Sequence, residues 1–534
     1  MFGKARLTVQ RDRVSMTYPR LRRALAAIVL VLAAGCATAP PGPPSPRSTA
    51  LATPEATSLG RTLDADARRH PRQSGMRLLA MGSDALAARI ALADAAERTL
   101  DLQYYRVQDD LAAKSILAHV AAAAQRGVRV RLLIDDLDVS GRDAFLSAFA
   151  THPNVEIRAF NPFVVRGPFG LGHLVELISS ADRLNRRMHN KMFVADNAVA
   201  IVGGRNLGNE YFVAGADDPF VDLDLLVAGP VVRELSESFD EFWNSRWSLP
   251  IVSLDWRQPG SAAELLQQLG QADEQLHGSD YGLRLQASAF RRSGSSGWLD
   301  LERGRVTAIF DRPSKLITPL DDPDTHIGPR IRELLGSARE EILVISPYVV
   351  PGAEGVRLLT GRARAGLRVR ILTNSLASTD VPAVYGGYAR YREPLLAGGV
   401  ELFEMRPGGH DPETHARRPL VPERAATRLH AKAIVIDRRW IFVGSMNLDP
   451  RSNHLNTEIG LLVDDRRLAA SVVDLFARMI ASDASYSVVL AEGALNWIGR
   501  EGDRTVRYSS EPDTTLGQRM AAGLLSLFVT EDLL

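Results

Sequence analysis

Two stretches of this 534-residue chain carry residues that could do chemistry. MHNKMFVADNAVAIVGGRN holds His189, Lys191, Asp196, Gly203, Gly204 and Asn206. LHAKAIVIDRRWIFVGSMN holds His430, Lys432, Asp437, Gly444, Ser445 and Asn447. Counted from each histidine, the later residues fall at +2, +7, +14, +15 and +17 in both copies. Each copy offers an imidazole, an ammonium and a carboxamide. Two copies placed face to face would make an anion pocket with a nucleophile on one side and a proton donor on the other. A phosphate diester suits that pocket. Lys191, Lys432, Asn206 and Asn447 can hold the non-bridging oxygens while a neutral histidine attacks phosphorus. The other histidine, protonated, can protonate the leaving alkoxide. The cations are side chains, so this chemistry calls for no metal and no cofactor.

The lysines add weight. The chain has five (Lys4, Lys114, Lys191, Lys315, Lys432), against 59 arginines, and two of the five occupy the equivalent motif positions. A compact ammonium suits a point contact with phosphate. A lone H-x-K would read as an ordinary surface pair, and the glycines as packing residues. Five matches at identical offsets in two places argue against both readings. Each histidine also needs an orienting carboxylate on its far ring nitrogen. Candidates are Asp222 or Asp224 in FVDLDLLVAGP and Glu458 in LNTEIGLLV. Which serves which histidine is open at this point.

The elements that must position these groups also repeat. Residues 85–98 read as a helix, 100–105 as a strand, 112–125 as a helix and 128–134 as a strand. The second half gives 331–339, 342–347, 356–365 and 367–372 in the same order. AQRGVRVRLLIDD matches ARAGLRVRILTNS, with Gly127 and Gly366 lying 239 positions apart; the histidines lie 241 apart. Alternating strand and helix patterns imply α/β units with parallel pairing. Within each motif, His and Lys two apart would share a strand face, Asp196–Asn197 and Asp437–Arg439 would turn the chain, and a partner strand would return. Asp196 and Asp437 read first as turn formers.

Composition excludes several classes. The chain is 45% apolar and carries 64 Lys+Arg against 63 Asp+Glu, which excludes general disorder. One cysteine excludes a disulfide framework and a Cys-rich zinc site. A net charge of +1 argues against gripping a long nucleic acid. Residues 1–36 read as an export signal: Arg20, Arg22 and Arg23, an apolar run over 24–34, then small residues and Cys36. This resembles a bacterial lipobox, which implies lipidation at Cys36. It also implies an exported protein anchored on the periplasmic side, with Ala37 favouring the outer membrane. Residues 37–75 are expected to be a disordered tether, 76–250 the first half, 251–305 an inter-half linker or insert, and 306–534 the second half. Residues 239–247 read as an amphipathic helix with aromatics in the core. The stretch around Arg291 and Arg292 reads as a mobile loop, and 408–427 as a polar insertion.

The paired H-x-K-x4-D-x6-G-[GS]-x-N motifs resemble the phospholipase D superfamily. LDLQYYRVQDD, HPNVEIRAFNPF, FVDLDLLVAGP and FVGSMNLDPRSNHLNTEIGLLV resemble its bacterial cardiolipin synthase branch. The resemblance implies two pseudo-twofold-related α-β-α sandwich halves with mixed sheets and one active site between them, so no second copy of the chain is required. It implies His189 as nucleophile forming a phosphohistidine and His430 as acid and base. Lys191, Lys432, Asn206 and Asn447 would bind phosphate, and Asp196 and Asp437 would complete the catalytic motifs. The expected reaction moves a phosphatidyl group between phospholipids at a membrane surface. A hydrolytic phospholipase D, a metal-independent nuclease and a non-catalytic lipid-binding lipoprotein are the alternatives. The near-neutral charge and export signal weigh against the nuclease, and two intact motifs weigh against the last.

Overall fold

The computed structural model describes residues 46–138, 143–165, 174–176, 180–214, 219–254, 260–288, 290, 301–319, 322–408 and 427–528. The signal segment with Cys36, the Arg291–Arg292 stretch and nearly all of the 408–427 insertion lie outside them.

The first half begins with helix α1 (Ser58–Arg69) and strand β1 (Ser74–Leu79). It continues through α2 (Gly82–Ala95), β2 (Thr99–Tyr104), α3 (Leu111–Gln125), β3 (Arg129–Asp135) and β4 (Val155–Phe160). The first motif supplies β5 (Met192–Ala195) and β6 (Val199–Gly203). After them come β7 (Phe220–Val221), β8 (Asp224–Ala228), α4 (Pro230–Trp243) and β9 (Ser248–Pro250). Two further helices, α5 (Ala262–His277) and α6 (Asp280–Ala287), precede β10 (Glu302–Phe310).

The second half repeats the plan. It runs α7 (Gly328–Ser337), β11 (Glu341–Ile345), α8 (Gly352–Arg364), β12 (Arg368–Asn374), α9 (Pro382–Ala389) and β13 (Glu401–Met405). Then come β14 (Arg428–Leu429), β15 (Ala433–Ile436), β16 (Trp440–Gly444), β17 (Ile459–Asp464), α10 (Arg466–Met479) and β18 (Ser485–Ala491). Helix α11 (Leu516–Phe528) closes the described chain.

The strand order is β1-β8-β6-β5-β2-β3-β4-β9 in one half and β10-β17-β16-β15-β11-β12-β13-β18 in the other. Each contains two parallel pairs, β2–β3–β4 and β11–β12–β13, among antiparallel neighbours. The expected mixed sheets are present. Antiparallel pairing of Ser74–Met76 with Glu302–Gly304 joins them edge to edge, and β19 (Ala494–Glu501) and β20 (Arg504–Tyr508) beyond β18 complete one 18-stranded sheet.

Side-chain alternation sorts three cores. On β5, Phe193 and Ala195 face an outer core with α2, α3 and α5, while Met192 and Val194 face a central core. On β15, Ile434 and Ile436 face the other outer core, and Ala433 and Val435 the central one. The central core takes residues of α4 and α10, and so lies between the halves. Phe239, Phe242 and Trp243 of α4 are buried there, as the sequence indicates.

One boundary is corrected. The expected tether is structured from residue 46. Ser48 N–H donates to Asn244 Oδ1 at 3.0 Å and Ala50 N–H to Asp240 Oδ2 at 2.8 Å, before α1 forms. Composition resembling a linker conceals this, because polar groups on α4 satisfy the backbone. Of the 251–305 region, expected as a linker or insert, the described helices α5 and α6 form a packed insert. Leu265, Leu269 and Leu276 enter the first outer core, and Ser115 Oγ donates to Asp273 at 2.6 Å. No helix among the described residues is long and apolar enough to cross a membrane.

Candidate active site

The two H-x-K segments sit just ahead of β5 and β15, in links to those strands rather than on them as expected. The reason is pairing across the halves. His189 N–H donates to Thr457 O at 2.8 Å, and Thr457 N–H returns to Arg187 O at 2.9 Å. His430 N–H and Ala431 N–H donate to Val221 O at 2.8 and 2.9 Å. Short parallel pairing of β14 with β7 extends the second contact. Each histidine segment thus lies against the backbone that leads into the other half's carboxylate.

That pairing crosses the orienting groups. His189 Nδ1 meets Glu458 at 3.0 and 3.1 Å, and His430 Nδ1 meets Asp222 Oδ2 at 2.6 Å. Both carboxylates are fully buried and both histidines nearly so. With Nδ1 tied to a carboxylate, Nε2 is the reacting nitrogen of each ring. Asp224, the other candidate, is bound by Arg89 at 3.0 Å and Arg205 at 3.3 Å, and holds the first half together instead.

Lys191 Nζ donates to His189 O at 2.7 Å, and Lys432 Nζ donates to His430 O. Burial lowers Lys191 well below the ordinary lysine range, and lowers Lys432 to about 8. Each lysine feels both Asp222 and Glu458, and His189 feels His430, so the four basic groups share one site. Asn206 donates to Tyr211 Oη at 2.9 Å and accepts from Arg106 N–H at 3.2 Å. Asn447 Oδ1 is buried and has no partner among the described residues, which leaves it available to a ligand.

Asp196 and Asp437 do not join this constellation. Asp196 accepts the N–H groups of Glu97, Arg98 and Thr99 at 2.8–2.9 Å; Asp437 does the same for Arg339, Glu340 and Glu341 at 2.8–3.1 Å. Both have positive φ at the hairpin turn, as do Asn197 and Arg438. The motif aspartates therefore pin the hairpin to the start of β2 or β11. The expectation that they complete the catalytic motifs is corrected to a structural role, because the four-residue strand carries them away from the histidine.

The two carboxylates differ. Burial pushes Glu458 up to about 7, against the pull of Lys191 and of the Ser445 and Ser452 hydroxyls. Those hydroxyls donate to its two oxygens. Asp222 sits well below the carboxylate range, because His430 and Lys432 outweigh its burial. Burial and both lysines depress His189 well below its ordinary value. Burial and Lys432 also depress His430, with Asp222 opposing them.

Glycine allows the shorter carboxylate its place. A Cβ on Gly204 would lie 2.1 Å from Asp222 Oδ1. The equivalent Ser445 has room because Glu458 is one carbon longer. Tyr105 meets the His189 ring edge-on at 5.1 Å, while Tyr211 and Phe220 lie 5.2 and 4.9 Å from the His430 ring.

Sequence reasoning missed the supports. Asp311 Oδ2 accepts Glu458 N–H at 2.7 Å and is held at 2.8 Å by Lys315, which also donates to Ser452 O. The scarcity of lysine was a signal for Lys315, since three of the five serve this site. Asp135 accepts Met188 N–H at 2.8 Å, and Asn374 exchanges two hydrogen bonds with Leu429 at 2.9 Å. Each stands eight residues after its matched glycine and clamps the residue before its histidine.

Comparison with known proteins shows the family. The family described as cardiolipin synthase, PLD-like domain, matches residues 90–243 and 331–480, more than half the chain and one block per half. The chain belongs to this family. It is 37% identical over 468 residues to cardiolipin synthase C of Escherichia coli K12, covering 87% of this chain and 97% of that protein. It is 26% identical over 405 residues to cardiolipin synthase B of the same organism, covering 74% and 77%. The crystal structure of phosphatidylserine synthase from Haemophilus influenzae Rd KW20 superposes with a TM-score of 0.53 at 14% identity, covering 89% of this chain and all of that one, and shows the shared fold. At the level of the family the chain is a phospholipase D-type enzyme of phospholipid transfer.

Proposed function

We propose that this enzyme makes cardiolipin by moving a phosphatidyl group from one phospholipid to the alcohol of another, through a phosphohistidine at His189 and without a metal. The observation that carries the assignment of roles is the inequality of the crossed pairs. His189, the more depressed imidazole, is neutral and nucleophilic at neutral pH. His430 is backed at 2.6 Å by a carboxylate that stays ionised, which stabilises its imidazolium.

The step then balances as follows. His189 Nε2 attacks phosphorus and a P–N bond forms. The P–O bond to the leaving alkoxide breaks, and His430 Nε2–H protonates that oxygen. The incoming alcohol next loses its proton to His430. Its oxygen attacks phosphorus, and the P–N bond breaks. Lys191 and Lys432 supply charge and hydrogen bonds to the non-bridging oxygens, and Asn447 can donate to them only through its Nδ2 amide. Asn206, held by Tyr211 and Arg106, lines the first-half side.

Purified protein in mixed micelles should convert phosphatidylglycerol to cardiolipin in EDTA. Loss of the reaction on chelation would end the metal-free reading. Phosphatidic acid as the only product would replace transfer with hydrolysis. The Cys36 segment supports an exported, lipid-anchored enzyme on the periplasmic side of a membrane. Metabolic labelling with a palmitate analogue, compared between wild type and Cys36→Ser, tests that.

A further inference from the structure

The duplicated halves treat one position in opposite ways. Leu137 and Leu376 each stand ten residues after the matched glycines Gly127 and Gly366. Leu376 is 7% exposed, whereas Leu137 is 48% exposed. Around Leu376, Ser375 and Ser378 are buried and hydrogen-bonded, so that turn folds inward. On the first half the neighbouring chain turns outward. Val164, Leu174 and Val175 are 56%, 47% and 55% exposed.

This apolar display is fixed in place. Glu176 is buried, accepts Val164 N–H at 2.7 Å and Val165 N–H at 2.8 Å, and pairs with Arg183 at 2.9 Å. Buried Asp136 accepts Phe163 N–H at 2.7 Å. These acids are turned inward to hold the backbone, and the apolar side chains beside them are turned to solvent.

The display is also continuous with the active site. Asp135 accepts Leu137 N–H at 2.9 Å with one oxygen and Met188 N–H, next to His189, with the other. Arg187 donates to Asn161 O at 2.8 Å, three residues before Val164. Arg186 and Arg451, both half-buried, tie the segment ahead of His189 to the second half. Arg451 is bonded to Asn185 O, and Arg186 reaches Lys315 O at 3.3 Å. Exposed aliphatic side chains held beside the site of an enzyme of phospholipid transfer match a bilayer interface, where apolar groups enter the acyl boundary.

We propose that Leu137, Val164, Leu174 and Val175 form a membrane-docking edge on the first half, which seats the active site on a phospholipid bilayer. This rests on the phospholipid substrate proposed above and adds the surface through which that substrate is reached. The edge acts separately from any lipid at Cys36: an anchor holds the protein near the bilayer, and the edge sets which face meets it.

The test uses the full chain carrying Cys36→Ser, which removes its single thiol. Val164→Cys, Val175→Cys and, on α5, Leu266→Cys are each labelled with an environment-sensitive fluorophore. They are mixed with phosphatidylglycerol–phosphatidylethanolamine vesicles. Emission should shift to the blue at 164 and 175 and be quenched by acyl-chain quenchers, with neither change at 266. No shift at 164 and 175 overturns the proposal, as does an equal shift at all three sites. A shift without vesicles that grows with protein concentration also overturns it, because it would assign the edge to a second copy of this chain.

A second measurement separates docking from chemistry. Val164→Asp/Val175→Asp should lower turnover on vesicles at least ~10-fold while leaving turnover of monomerically dispersed short-chain phosphatidylglycerol within ~2-fold. Equal loss on both substrates, or on neither, overturns the docking edge. Failure of the unsubstituted chain to act on the short-chain lipid would instead overturn the proposed function, and the fluorescence result would still stand or fall by itself.

Discussion

The His189–Glu458 and His430–Asp222 pairs occupy equivalent places in a duplicated fold, yet they are built differently. Asp222 is short, sits over a glycine that has no room for a side chain, and meets its imidazole at 2.6 Å. Glu458 is longer, is bound by two serine hydroxyls and meets its imidazole at 3.0–3.1 Å. A buried carboxylate that spends its lone pairs on hydroxyls has less negative charge to lend an imidazolium. A duplicated scaffold therefore yields one pair suited to holding charge and one suited to staying neutral, with the difference set by one methylene and two hydroxyls.

The largest expected effects test the roles themselves. His189→Ala and His430→Ala should each lower turnover by ~10³-fold or more. With a substrate carrying a good leaving group, His430→Ala should still gain a covalent phosphatidyl adduct, seen by acid-quenched intact mass spectrometry. His189→Ala should not. An adduct on His189→Ala alone would reverse the two pairs.

Next come the carboxylates. Asp222→Asn should cost ~10²–10³-fold in kcat, and Glu458→Gln only ~10-fold, because only the first removes a full charge from beside the working imidazolium. Equal losses would erase the distinction between the pairs.

The glycine–serine difference should appear in stability. Gly204→Ser should destabilise by ~2–4 kcal/mol, since its Cβ meets the Asp222 carboxylate. Ser445→Gly should cost ~1–3 kcal/mol, because the hydroxyl both donates to Glu458 and accepts the buried Ile459 N–H. Chemical denaturation measures both.

The pH dependence of Glu458 tests the same difference through its titration. Its pKa rises from 4.5 to about 7 on folding, so the folded state holds a proton that the unfolded state releases between those values. Stability attributable to this carboxyl is complete below 4.5 and falls away as pH rises through 7. Glu458→Gln should therefore be stabilising by ~1–3 kcal/mol above pH 7, and this gain should vanish below pH 4.5. Thermal melts across that range check the sign.

Much of the site was legible in the chain itself. Identical offsets in two places identified the histidines, lysines and asparagines, because a short hairpin motif keeps its chemistry at fixed sequence separations. Matched glycines before β3 and β12 gave the α/β units. The sequence also determined the turns: Asp196 and Asp437 take positive φ where the reading placed them.

Only the tertiary structure decided which carboxylate meets which ring. Asp222 lies 33 residues after His189 but orients His430, since the segments that meet are 220–221 with 428–429 and 457 with 187–189. That pairing depends on two halves closing over a shared core, and no local pattern records it. The same holds for Asp196 and Asp437, whose partners are backbone amides almost a hundred residues away, and for the expected tether, whose amides are satisfied by α4. Sequence fixes which groups a strand or turn carries by local periodicity. Which groups face each other follows from long-range closure, where the burial of apolar faces and the pairing of backbone amides select one arrangement.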